Sequence, residues 1–575
     1  MNRSDEFRIR PGRIRSTRTP RAKSFLTQAL KAAERAGGLR RSGQSHRTTF
    51  GRGRTASIAA ARLLGNTSRG AMVKARVVRL ARSPGALRAH IAYLQRDGVT
   101  RDGAPGKLFG ASGDGADGRA FAGRCEDDRH HFRFIVSPDD AADLGDLKTF
   151  TRELMAHAET DLRTQLDWVA VDHWNTEHPH VHVLVRGQTA DGEDLVISRD
   201  YISQGLRARA AALVTEELGA RTELEVRRGL EAEVSAERCT RLDRILAREA
   251  GANDGVVDLR PEVGAPTNPL HAIRIGRMRT LERLGLAEAA GASRWVLAPD
   301  AELRLRELGE RGDIIKRLHR NLSTEGVSRD PSTWILEGER QTEPLIGRLV
   351  ARGLDDELKG SAFAIVDGVD GRVHHVKIPD IDAASDGGRG AIVELRRFDD
   401  LSGRRRVALA VRSDLTLEAQ IGANGATWLD RQLVTREPAT LSHGGFGAEV
   451  RQALSERVDY LAAQGFARHD GNKIVFRRDL IDALRRRELG AVAGRLAGET
   501  GLSYRAAEPG EDVSGVYRRR LTLASGRFAM IDNGLGFQLV PWSPSLEREL
   551  GRQVSGIAGP GGVDWSFGRK RGLSI

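Results

Sequence analysis

Two periodicities divide this chain. Apolar and polar positions alternate along Met72–Leu80, along His131–Ser137 and from Asp167 to His173, and residues 180–186 form a Val/Leu-rich run; each predicts a strand. Helical spacing comes between them. Leu87, Ile91 and Leu94 predict a helix from a Ser83-Pro84 cap to about Gln95, stopped at Asp97-Gly98. Leu147, Phe150, Leu154, Ala158 and Leu162 predict a second over about 146–166. Residues 99–129 are rich in Gly and Asp and read as a loop, and a third helix is expected over Arg207–Leu218. Strand, helix, loop, strand, helix, strand, strand predicts an α+β layer, one antiparallel sheet backed by helices.

Beyond residue 235 the pattern becomes modular. Leu281-Glu-Arg-Leu-Gly-Leu-Ala287 followed by Arg294-Trp-Val-Leu-Ala298 reads as helix, turn, strand, and it recurs as Leu461-Ala-Ala-Gln-Gly-Phe-Ala467 followed by Lys473-Ile-Val-Phe-Arg477. A Leu-rich helix follows each copy, ending in Glu307-Leu-Gly309 and Glu488-Leu-Gly490. This is the outline of a winged-helix unit, and equally of two ordinary helical modules. Between the copies, Ser361–Gly368, Arg372–Ile378, Gly390–Phe398 and Arg405–Arg412 alternate as short strands, with Asp-Gly turns at 367 and 370, and predict a small SH3-like or OB-like barrel. The expected organisation is an arm over 1–70, an α+β domain over 71–235, a helical winged-helix-like module over 236–335, a β-rich barrel-like module over 336–437, and a second winged-helix-like module with a C-terminal domain over 438–575.

Charge adds a partner. The chain carries +13 overall, yet residues 1–70 hold 17 Lys/Arg against three acids, so the body is close to neutral. Such an arm is expected to be disordered, apart from a short helix at Ser24–Ala36, and to bind a polyanion, most simply nucleic acid. A solubilising tail or a misplaced start codon is the alternative. Cys125 and Cys239 lie far apart and support neither a disulfide framework nor a zinc knuckle. With no long apolar run and no signal-peptide core, a cytoplasmic protein without membrane insertion is expected.

Chemistry concentrates in Asp167–Arg186, where four of the fifteen histidines fall within ten residues. Side chains two apart on a strand share a face, so His180, His182 and Leu184 point one way and Val181, Val183 and Val185 into a core. With His173 ending the neighbouring strand, three imidazoles converge on one divalent ion; otherwise this is a polar hairpin with surface histidines. His90 and Tyr93 share a helix face. Alone, Tyr93 reads as packing. His130 and His131 are expected as paired edge-strand residues or as outer groups around the ion.

Tyr93-Leu-Gln-Arg-Asp-Gly98 followed by His173-x-Asn175-x-x-x-Pro179-His180-x-His182-Val-Leu-Val resembles the motifs of conjugative relaxases, the mobilisation nucleases of the HUH endonuclease superfamily, with the T-DNA border-nicking relaxases the nearest comparison. The resemblance covers about residues 72–230. It implies Tyr93 as the nucleophile on a DNA phosphodiester, His173, His180 and His182 as ligands of a divalent metal (Mg or Mn), and nicking of one strand at a plasmid or integrative-element transfer origin. Single-stranded and duplex origin DNA, accessory relaxosome proteins and a type IV secretion coupling protein are the partners it implies. Asn175 departs from the pattern, which usually has Asp there, and His178 is a further ligand candidate. Asp172 and Glu126–Asp128 are candidate proton acceptors. A rolling-circle replication initiator would place its tyrosine after the histidines, which here means Tyr201; a DNA-binding regulator with a vestigial nuclease fold is the non-enzymatic alternative. The stretch from Ser514 to Arg571 resembles a domain of unknown function often fused to such relaxases, and Arg569-Lys-Arg571 lies where a secretion signal is expected in that family.

Overall fold

The first element is β1 (Ala71–Arg79). It is followed by α1 (Gly85–Leu94), β2 (Phe109–Gly110), β3 (Gly113–Asp114), α2 (Gly118–Arg124), β4 (His130–Pro138), α3 (Leu147–Leu162), β5 (Trp168–His173), β6 (His180–Arg186) and a π-helical turn, Tyr201–Gly205, that runs into α4 (Leu206–Leu218). The structure is a computed structural model, and it describes residues 52, 68–79, 85–95, 99–174, 178–261, 269–336 and 344–567, the last range without 357, 359, 380, 385, 400–402, 404, 472 and 560–561. The cap expected at Ser83-Pro84, the stop at Asp97-Gly98, the helix at Ser24–Ala36, Asn175 and Arg569-Lys-Arg571 all lie outside these residues. By its internal contacts the chain forms two compact units, one up to Glu310 together with residues 357–359, the other the remainder.

In the first unit the strands form one six-stranded sheet, order β1-β4-β6-β5-β2-β3, antiparallel throughout. Alternation along β5 and β6 feeds two cores. Trp168, Ala170, Val181, Val183 and Val185 pack on one face with Phe150 and Leu154 of α3 and Val214 of α4. Val169, Val171 and Leu184 pack on the other with Leu87, Ile91 and Leu94 of α1 and Phe121 of α2. Each of the valines, leucines, isoleucine and phenylalanines removed from water contributes about 1.5–3 kcal/mol. Asp146 caps α3 by accepting from the amides of Lys148 and Thr149. The helix stops at Arg163, which adopts a left-handed φ of 54°, several residues before the expected end. The stretch 99–129 is not merely loop: Asp117 caps α2, and β2 and β3 extend the sheet.

One residue of the expected arm, Arg52, is held by hydrogen bonds. Its amide donates to Val196 (2.7 Å), its carbonyl accepts from Ser198 (3.1 Å), and its guanidinium donates to the carbonyls ending α3.

Next come α5 (Glu223–Val234), α6 (Arg241–Ala252), β7 (Val256–Asp258), α7 (Pro269–Arg283), β8 (Ala287–Gly291), β9 (Arg294–Leu297) and α8 (Ala301–Thr324), with a three-stranded sheet of order β7-β9-β8. The second unit then holds β10 (Trp334–Ile335), β11 (Leu345–Asp356), β12 (Ser361–Gly368), β13 (Val373–Ile378), β14 (Ile392–Asp399) and β15 (Arg405–Ser413). These do not make the expected barrel. The order is β10-β13-β12-β11-β14-β15, and among the described residues β10 and β15 do not pair. Closure would require that pairing. Instead β11, a bulged strand the alternation did not reveal, separates β12 from β14, and Ile314, Leu318 and Leu322 of α8 cover one face of the open sheet.

The remaining elements are α9 (Leu417–Ile421), α10 (Trp428–Val434), α11 (Gly445–Ala463), the hairpin β16 (Ala467–Asp470) and β17 (Lys473–Phe476), and α12 (Leu480–Thr500). A last six-stranded sheet follows, made of β18 (Ser503–Tyr504), β19 (Asp512–Leu523), β20 (Gly526–Asp532), β21 (Gly536–Pro541), β22 (Gln553–Gly559) and β23 (Gly562–Ser566), in the order β18-β21-β20-β19-β22-β23. The whole is an α+β protein of largely antiparallel sheets and helices.

The sequence repeat has a deeper counterpart in three dimensions. Arg277 of α7 is fully buried, donates twice to Asp243 (2.8 and 2.8 Å), and gives its remaining protons to the carbonyls of Val234, Ala236 and Arg238. Arg457 of α11 is fully buried, donates twice to Asp430 (2.8 and 2.8 Å), and reaches the carbonyls of Ile421, Ala423 and Gly425. In both copies the aspartate also closes a capping box, with Thr240 and with Thr427. Guanidinium forks have five donors, and here each is matched. The same five-bond socket twice in one chain marks an internal duplication that starts well before Leu281 and Leu461.

Candidate metal centre

Register brings the histidines together. In the β5–β6 ladder His173 lies opposite His180, and Val171 opposite His182. The three imidazoles share the sheet face that carries Val169, Val171 and Leu184, while the intervening valines of β6 fill the opposite core. All three are buried, at 0%, 8% and 3% exposure for His173, His180 and His182. One ring nitrogen from each lies within 4.8 Å of the others, the only such three-ligand group among the described residues.

Hydrogen bonds orient the rings. Nδ1 of His180 donates to the His178 carbonyl (2.9 Å), which turns its Nε2 lone pair toward Nε2 of His182, 3.2 Å away. Nε2 of His173 donates to the Leu94 carbonyl (2.8 Å), so its lone pair is on Nδ1. A backbone carbonyl fixing the tautomer of a ligating imidazole is the usual support of such a site. Three neutral nitrogen donors fit a first-row divalent ion and leave it positive charge and open positions. His178 itself is exposed, and it enters through its carbonyl.

The bond to Leu94 also joins the cluster to Tyr93. Tyr93 is half-buried, one residue before the carbonyl that His173 contacts, at the C-terminal end of α1. The chain after it returns to the same place, since the Trp174 amide donates to the Val99 carbonyl (2.7 Å). Arg101 lies over the Trp174 ring at 4.0 Å. Sequence reasoning missed this exposed cation beside the histidine strand, because nothing in the spacing of Arg101 and Trp174 announces a contact.

Other candidates lie elsewhere. Tyr201 is in the core on the opposite face of the sheet, 1% exposed, and its hydroxyl donates to Asp161 (3.0 Å). Burial, with the Asp161 charge second, raises its phenol far above the usual range. It is not placed to act as a nucleophile at the histidines. Asp172 alternates away from them and accepts from the Trp174 indole (2.7 Å). Asp128 is held by both arms of Arg186 (2.9 and 3.0 Å), and Glu126 pairs with Arg88. His130 and His131 are not edge residues, because β4 pairs on both sides. His130 bonds the Leu195 carbonyl (2.9 Å), and His131, paired with Arg186 four residues along β6 from His182, accepts from Arg133 (3.0 Å). Burial, with the Arg133 charge second, holds His131 neutral, well below the ordinary imidazole range. Both cysteines are free, and burial pushes the Cys125 thiol up to about 12.

Fold and site together define an α+β protein with a buried three-histidine cluster on the face of an antiparallel sheet. Over residues 274–405 and 396–574, more than half of its length, the chain matches the model of a family described as a protein of unknown function (DUF3363), and it belongs to that family. The match lies outside the histidine sheet. No curated protein and no solved structure matches the chain. No helix among the described residues is long and apolar enough to cross a membrane.

Proposed function

We propose that the chain is a metal-dependent DNA relaxase that nicks and rejoins one strand at the transfer origin of a plasmid or integrative element, with Tyr93 as nucleophile and His173, His180 and His182 as metal ligands. One observation carries the reading: three imidazole nitrogens within 4.8 Å of each other, tied by the His173–Leu94 bond to the helix end that bears Tyr93. Surface histidines of a polar hairpin would not be buried with their tautomers set. A divalent ion, Mg or Mn, would supply positive charge beside the non-bridging oxygens of the phosphate, worth several kcal/mol at the crowded transition state.

The chain's own groups do the rest. Tyr93 Oη forms a bond to phosphorus while the bond from phosphorus to the 3′ oxygen breaks. The phenol proton passes to solvent, and the 3′ oxygen leaves as a hydroxyl after taking up a proton. No water enters the bond, so the 5′-phosphotyrosine ester keeps its energy and the reverse attack rejoins the strand. A free phenol titrates near about 10, which is why the reaction needs positive charge nearby. Arg101 adds a cation at the rim for the DNA backbone. The basic arm adds phosphate contacts, accessory relaxosome proteins and a secretion coupling protein complete the partners, and the cytoplasm is the compartment. The two duplicated modules are winged-helix-like, the first with the order helix, strand, helix, hairpin and a sheet of order β7-β9-β8.

The test is incubation of the full chain with labelled single-stranded origin DNA and Mn, followed by denaturing electrophoresis. A protein-linked labelled band that disappears on chelation is expected. A protein that binds the DNA without ever forming that band is a non-enzymatic DNA-binding protein, and the proposal fails.

A further inference from the structure

The two copies of the duplicated module differ at one place. In the first, β9 is a central strand, with β8 on one side and β7 on the other. In the second, β17, the counterpart of β9, pairs only with β16 among the described residues. Matching ladders align the copies, since Ala287 pairs with Leu297 as Ala467 pairs with Phe476. Leu297, Val296, Trp295 and Arg294 therefore correspond to Phe476, Val475, Ile474 and Lys473.

The missing strand is accounted for by the chain. Between the socket aspartate and the socket arginine the second copy is seven residues shorter than the first. Its helix α10 ends at Val434, and the segment that follows turns away, placing Ala439 and Leu441 against Trp428 and Phe446. In the first copy α6 is longer and leads into β7, whose Val257 and the following Leu259 are buried beside Trp295. Consequently Trp295 is 6% exposed, while its counterpart Ile474 is 42% exposed and Val434 44%.

We propose that the open edge of β17 is a docking site for an extended peptide segment of a partner protein, added as a third strand, with an apolar residue, an acid and a second apolar residue in succession. The first copy shows the occupant's chemistry. Val257 and Leu259 face the core, and Asp258 between them accepts from Arg260 of its own segment (2.6 and 2.9 Å) while lying opposite Arg294, 3.6 Å from its guanidinium. Lys473 holds the Arg294 position on β17, exposed and of the same sign, so an acid in the incoming strand meets a cation again. Main-chain bonds give a strand added to a sheet edge its affinity, and alternate side chains give it specificity.

The probe is a fluorescein-labelled peptide with this chain's own residues 253–261, titrated into the full-length protein by anisotropy. In the first copy the Leu259 amide donates to the Ser293 carbonyl (2.8 Å) and the Leu297 amide to the Gly255 carbonyl (2.9 Å). By alternation, the amides of Val257 and Leu259 face the sheet and those of Val256 and Asp258 face away. Saturable binding is expected, weakened about tenfold by N-methylation at Val257 or Leu259 and unchanged by N-methylation at Val256 or Asp258. Ile474→Glu, at an exposed position, should weaken it similarly, and Lys473→Glu should be rescued by a peptide with Asp258→Lys. Absence of saturable binding, equal effects of all four methylations, or indifference to Ile474→Glu would overturn the proposal. A dimer of the full chain in sedimentation that Ile474→Glu dissociates would also overturn it, since the occupant would then be a second copy.

Discussion

Replacing Arg457 by methionine tests the duplicated socket directly. The guanidinium is 0% exposed, as is the Asp430 side chain, and methionine keeps most of the apolar stem while removing all five donors. What remains is a buried carboxylate without its countercharge, a change that costs about 3–5 kcal/mol. The carbonyls of Ile421, Ala423 and Gly425 lose donors as well, but solvent entering the vacated socket offsets part of that loss. A chain of two compact units does not unfold in one step, so the assay is amide hydrogen exchange read over α10 and α11. At about 1.4 kcal/mol per factor of ten, exchange there should speed up about a hundredfold to a few thousandfold. Arg277→Met should do the same to α6 and α7. Combining Arg457→Met with Asp430→Asn should cost less than the sum of the two, because the second change removes the charge the first strands. Acceleration of less than about fivefold in Arg457→Met, equivalent to about 1 kcal/mol, would refute the claim that the socket holds the module together.

Three further outcomes follow from named contacts. In a Mn titration followed by calorimetry, His180→Ala and His182→Ala should each abolish binding, whereas His178→Ala, which leaves the carbonyl that orients His180 in place, should stay within about threefold of wild type. Tyr201→Phe should leave any DNA adduct undiminished and cost the first unit about 1 kcal/mol, read by amide hydrogen exchange over α3 and α4, since Asp161 keeps both bonds from Arg209 (3.0 and 2.9 Å). Burial and the Arg317 charge lower His375 to about 4 in the folded chain. The unfolded chain therefore takes up a proton at His375 first, and its contribution is complete above about pH 6.5 and lost as pH falls toward 4. Urea unfolding of the second unit should show that slope in wild type and not in His375→Phe, in which the stacking on Phe363 is retained.

The histidine sheet was legible in the sequence because each of its signals is local. Alternation assigned His180, His182 and Leu184 to one face and the valines to the other, and Asp146 announced the start of α3. What joins Tyr93 to the cluster was not legible, because the link is a backbone carbonyl at Leu94 meeting a side chain 79 residues away. Tyr201 was a candidate only by its place after the histidines; the fold shows the ring in the core with Asp161 as its partner. The barrel expectation failed at β11, whose bulges interrupt the alternation that marks a strand. The repeat was visible at Leu281 and Leu461 but not at its foundation, because a Thr-x-x-Asp box and a distant Arg share no periodicity.

Mapping the covalent bond tests the assignment of Tyr93 as nucleophile. Wild type, Tyr93→Phe and Tyr201→Phe are each incubated with single-stranded origin DNA and Mn, digested with nuclease and protease, and searched for a nucleotidyl-tyrosine peptide by mass spectrometry. A peptide modified at Tyr93 is expected in wild type and in Tyr201→Phe, and none in Tyr93→Phe. Modification at Tyr201, or an undiminished adduct in Tyr93→Phe, would contradict that assignment.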